Sequence, residues 1–150
     1  MFSAVMFAQD REASRTIEQA ALHIKDVCIY KTMYQFLPPY GLTRLVDTFS
    51  PDVVFVELSP LEKALRLARQ VRLLAPDAAI IGFGCRADGI EMEQVAEAGV
   101  TEILESPLSV ERFQAAVVRG VQQARPLVDN NLLAFLPAKA GSGSTTVAAN

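Results

Sequence analysis

A chain of 150 residues, 51% of them hydrophobic, is long enough to bury one core of its own and too apolar to be a disordered tail. A net charge of −3, a pI near 5.2 and no block of Lys or Arg set the long-range field against a nucleic-acid backbone, which excludes nucleic acid as an expected partner. No apolar run approaches the roughly 20 residues that span a bilayer, Met1–Ala8 carries no basic leader, and the only cysteines, Cys28 and Cys85, lack metal spacing; the expectations are a cytoplasmic protein without direct membrane insertion, disulfide framework or metal centre.

Short apolar runs recur along the chain, at Ala4 to Ala8, Val27 to Tyr30, Val53 to Val56, Ala78 to Phe83 and Glu102 to Leu104. Runs of this length, apolar on both faces, are expected where helices cover both sides of a parallel sheet. Helical periods lie between them. From Arg11 to Ile24, the residues Ala13, Ile17, Ala20, Ala21 and Ile24 make one apolar stripe, and His23 reads as a helix-end residue. Pro38-Pro39 breaks the chain before a short helix from about Gly41 to Thr48. Ser59-Pro60-Leu61-Glu62 predicts the clearest helix start, with Ser59 as cap, Pro60 at the first helical position and Glu62 closing a capping box, and that helix runs to about Leu74. Asp88 offers a weaker cap. Pro107-Leu108-Ser109 introduces a last helix whose Phe113, Ala116, Val117 and Val121 share a face. Five strands alternating with helices predict an α/β fold with right-handed crossovers, a doubly wound parallel sheet whose site lies at the carboxyl ends of the strands.

After Arg125-Pro126 the rhythm restarts: Leu132–Leu136 reads as a strand, and Lys139–Thr146 as a glycine-containing loop opening a helix. The expected organisation is therefore a domain over 1–125, followed at 126–150 by a linker, a strand and the truncated start of a second unit.

Residues 1–125 resemble a response-regulator receiver domain, which implies the CheY-like (flavodoxin-like) sheet order 2-1-3-4-5. In that family two acids end the first strand, an aspartate ending the third accepts phosphate, a Thr or Ser ends the fourth and a Lys-Pro pair ends the fifth. Here the acidic pair aligns with Gln9 and Asp10, the phosphoacceptor with Glu57, the hydroxyl switch with Gly84, and the lysine with Ser106, before the retained Pro107. In-line phosphoryl transfer needs a positioned carboxylate, a divalent ion and cationic stabilisation of the equatorial oxygens. One acid lost, one acceptor lengthened, one hydroxyl and one lysine missing imply a pocket that keeps hydrogen bonds without catalysis. A sharper reading is that Glu57 imitates a phosphorylated state by carrying a fixed charge.

Lys139-Ala140-Gly141-Ser142-Gly143-Ser144-Thr145-Thr146 resembles the deviant Walker A loop, KGGxGKTT, of ParA/MinD-type ATPases. Lys139, Gly141, Gly143, Thr145 and Thr146 match, Ser144 stands where the second lysine belongs, and Ala140 replaces the first glycine. The resemblance implies no cofactor and no enzymatic activity for this stretch of chain, with ATP and Mg²⁺ belonging to a full-length protein that is a weak or inactive ATPase. Together the two resemblances point to the CpaE/TadZ family of Tad (Flp) pilus-assembly proteins. They imply protein partners, a second copy of the chain among them, and a polar location beside a secretion or pilus complex.

Two charged surfaces stand out. Asp88, Glu91, Glu93, Glu97, Glu102, Glu105 and Glu111 occur without any Lys or Arg between them, on the span by which receivers commonly dimerise or meet outputs. Lys63, Arg66, Arg69 and Arg72 form a basic strip on the third helix, which an ordinary solvated helix face also explains. The expected function is a phosphorylation-independent docking module; the alternative is a phosphorelay receiver with a non-standard acceptor.

Overall fold

The computed structural model of the chain describes residues 2–35, 38–84, 92–105 and 108–124. Their order is β1 (Phe2–Phe7), α1 (Arg11–His23), β2 (Val27–Met33), α2 (Pro39–Phe49), β3 (Val53–Glu57), α3 (Leu61–Leu74), β4 (Ala79–Phe83), α4 (Met92–Glu97), β5 (Glu102–Ile103) and α5 (Val110–Ala124). All five strands are parallel and lie in the order β2-β1-β3-β4-β5. This is the doubly wound α/β sheet that the alternation predicts.

Successive side chains on a strand point to opposite faces, so the apolar runs divide between two cores. Ala4, Met6 and Ala8 of the first run join Val53, Phe55, Ala79, Ile81 and Phe83 beneath α1 and α5. Val5, Phe7, Val54, Val56 and Ile80 face α2, α3 and α4. Phe113 of α5 is fully buried and stacks on Phe55 of the central strand, ring centroids 5.6 Å apart and planes 17° from parallel. The expected faces of α1 and α5 are the buried ones, with additions: α5 also buries Gly120 and Ala124, and Ser14 is buried on α1, its Oγ donating to the Arg11 carbonyl at 3.0 Å.

Three local expectations are corrected. β2 runs past Tyr30 to Met33, because it is an edge strand with an exposed side on which Tyr30 and Lys31 carry no core burden. Its register with β1 skips Tyr30, Ala4 pairing with Ile29 and Val5 with Lys31, so the tyrosine is a bulge residue. α2 begins at Pro39, two residues before the glycine expected to open it, since proline is preorganised for a first helical position. Ser59 does not cap α3. The Leu58 N–H bonds to the Phe83 carbonyl at 2.8 Å and keeps the chain with the sheet, which leaves Pro60, without any side-chain cap, before Leu61.

At the starts of α1 and α5 side chains do cap. Asp10 accepts from the Glu12 N–H at 3.1 Å, and Ser109 from the Arg112 N–H at 3.1 Å. No helix among the described residues is long and apolar enough to cross a membrane. His23 closes α1 as expected, its Nδ1 2.8 Å from the Gln19 carbonyl, and Cys28 is half-buried on β2.

Candidate functional site

The carboxyl ends of β1, β3 and β4 meet at one point, and four of the predicted site residues, Gln9, Asp10, Glu57 and Gly84, come together there. Glu57 is the last residue of β3 and shares its face with Val53 and Phe55, which turns its stem inward rather than to solvent. Its side chain is buried to 6% exposure. The carboxylate is bound by main chain: Oε1 accepts from the Gln9 N–H at 2.7 Å and from the Asp10 N–H at 3.0 Å. These successive amides leave β1 and enter α1, so they form an anion-binding nest at the positive end of a helix.

Gly84, one residue past β4, supplies the opposite wall. Its φ is +74°, a left-handed conformation that favours glycine. A Cβ built there would lie 2.9 Å from the Glu57 Cγ, closer than real contacts allow. The Glu57 stem thus occupies the space that a side chain at position 84 would need. Two residues earlier, a Cβ at Gly82 would meet the Leu58 side chain at 2.5 Å, so the two central strands close tightly at this end.

The side chains of Gln9 and Asp10 are exposed, and it is their main chain that serves the site. Asp10 spends its carboxylate as the cap of α1. Among the described residues no three His, Cys, Asp or Glu side chains converge as a metal-holding group. The donor set that the receiver resemblance would offer Mg²⁺ is reduced: Asp10 gives Oδ1 to the cap of α1, and Glu57 gives Oε1 to two amide protons. Ser106, Pro107 and the nucleotide-site residues Lys139, Gly141, Gly143, Ser144, Thr145 and Thr146 lie outside the described residues, as do Cys85, Asp88 and Glu91.

The basic strip divides. Arg72 is not part of a solvated face: its guanidinium donates to the Pro76 carbonyl and to the Gly99 carbonyl, each at 2.7 Å, clamping the end of α3 to the turn after α4. Lys63 and Arg66 instead border a cleft between α3 and the β2–α2 connection. On the acidic span, Glu93, Glu97, Glu105 and Glu111 are exposed, whereas Glu102 pairs with Arg119 of α5 at 3.0 Å and accepts from Gln123. Composition hid Ser14 and Tyr34 altogether; their hydroxyls approach to 3.4 Å, and the Arg11 guanidinium lies 4.9 Å over the Tyr34 ring.

No family model matches the chain, and no curated protein matches it by sequence. Solved structures do. A response regulator from Thermotoga maritima is 16% identical with a TM-score of 0.66, over 81% of this chain and 99% of that one. The chain therefore has the fold of response-regulator receiver domains. Among similar structures, the CheY-like protein TadZ from Pseudomonas aeruginosa is 14% identical at a TM-score of 0.66, covering 79% of this chain and 98% of that one. A CpaE pilus-assembly protein from Burkholderia thailandensis is 16% identical at a TM-score of 0.62, covering 82% and 100%.

Proposed function

We propose that this receiver-like domain is a phosphorylation-independent docking module of a CpaE/TadZ-like pilus-assembly protein, and that it catalyses no reaction of its own. The observation that carries the reading is the buried Glu57 carboxylate held by the Gln9 and Asp10 amides. An acceptor must present a free lone pair to phosphorus, with a metal and a cation beside it. Glu57 instead directs Oε1 into its own protein, where charge-assisted hydrogen bonds favour staying. Gly84 offers no hydroxyl to follow a phosphoryl group. The site is thus suited to holding one conformation rather than switching between two.

Contact then falls to the surface. The α4–β5–α5 side carries Glu93, Glu97, Glu105 and Glu111 with exposed apolar area at Met92 and Val118, a composition suited to a partner protein or a second copy. In this reading residues 126–150 open a nucleotide-binding unit of the ParA/MinD type, as the spacing from Lys139 to Thr146 supports.

Incubation with Mg²⁺ and acetyl phosphate or beryllofluoride tests the proposal. Mass spectrometry should find no adduct at Glu57 or Asp10, and the sedimentation profile should stay unchanged. A stoichiometric Mg²⁺-dependent adduct at either residue would reject it in favour of a phosphorelay receiver.

A further inference from the structure

The carboxyl edge of the sheet holds a second feature, which shares only Gln9 with the Glu57 site. A cleft of about 730 Å³ opens between α3 and the segment joining β2 to α2. One wall is cationic: Lys63 and Arg66 sit one turn apart on α3, exposed, and neither takes part in an ion pair among the described residues. Among the described residues the facing wall is uncharged, with Tyr34, Gln35, Pro38 and Pro39; Gln9 and Gln70 add carboxamides. No acidic side chain among the described residues lines it, in a protein whose net charge is −3.

We infer that this cleft binds a small phosphorylated ligand of nucleotide size. Open α/β sheets receive ligands outside the carboxyl ends of their strands, beside the point where strand order reverses, and here that point lies between β1 and β3. The volume falls inside the roughly 300–1,000 Å³ of small-molecule sites. Two cations separated by about 4.5 Å along a helix axis match a diphosphate. The Gln9, Gln35 and Gln70 carboxamides offer donors and acceptors to a base or sugar. An acidic peptide suits the cleft less well, since carboxylates reaching the uncharged wall would lose water without gaining a counter-charge.

The test is titration of the 150-residue chain with ADP, and separately with inorganic pyrophosphate and a short poly-glutamate peptide, followed by amide chemical shifts. ADP should give saturable shifts at Gln9, Tyr34, Gln35 and Gln70 with a dissociation constant below about 1 mM, weakening as salt rises. Lys63→Ala combined with Arg66→Ala should weaken binding at least about tenfold, or 1.4 kcal/mol. Arg69→Ala should leave it unchanged, and the urea midpoint of each variant reports whether the fold is intact. The inference is overturned if ADP and pyrophosphate give no saturable shift, or if only the acidic peptide binds. It is equally overturned if binding survives the double substitution but is lost on Lys139→Ala, which would assign the nucleotide to the loop at 139–146.

Discussion

Replacing Gly84 by alanine probes the contact on which the candidate site is built. The left-handed φ of +74° costs an L-residue about 1–2 kcal/mol. The new Cβ would sit 2.9 Å from the Glu57 Cγ, and relief requires the glutamate stem to move, which draws Oε1 away from two amides. Overpacking of this kind adds about 1 kcal/mol or more, so Gly84→Ala should lose about 2–4 kcal/mol. Glu57→Ala alone removes the charged acceptor of two N–H groups and should lose about 2–3 kcal/mol. In the double variant the clashing Cγ is gone, and only the backbone term persists at position 84. The two losses should therefore fall short of additive by about 1 kcal/mol or more. Urea unfolding followed by far-UV circular dichroism measures this in a chain that has no tryptophan. Additivity within about 0.5 kcal/mol would refute the claim that glutamate and glycine share one space.

Two further substitutions test the packing that positions this end of the sheet. Arg72→Ala breaks both bonds of the clamp and should cost about 1–2 kcal/mol, while its neighbour Arg69→Ala should stay within about 0.5 kcal/mol; equal effects would return Arg72 to the solvated strip. Phe113→Ala leaves a cavity against Phe55 and should cost about 3–5 kcal/mol by the same assay, and a loss under about 1 kcal/mol would contradict the stacked core.

Much of the candidate site was legible along the chain because position in a strand is a local property. The apolar runs give the strand ends, and strand ends give the residues that crowd together in a parallel sheet. The receiver resemblance singles out Gln9, Asp10, Glu57 and Gly84, and each lies at or just past one of those strand ends. What each does there was not legible, since the alignment marks Gln9 and Asp10 by their side chains while the structure uses their amides. Arg72 fails for a related reason. Three-residue spacing puts it in line with Lys63 and Arg66, but the turn at Gly99 (φ +99°) brings a carbonyl within reach from another part of the fold.

The residue pattern by itself determined the class of fold, the two-sided burial of the central strands and the inward faces of α1 and α5, because hydrophobic periodicity records which side of each element leaves water. Tertiary structure alone decided that the Glu57 carboxylate turns back onto main chain, that Gly84 clears the room for it, and that two of four evenly spaced cations share a cleft. Those outcomes depend on distances between segments far apart in the chain, and a linear pattern carries no record of such distances.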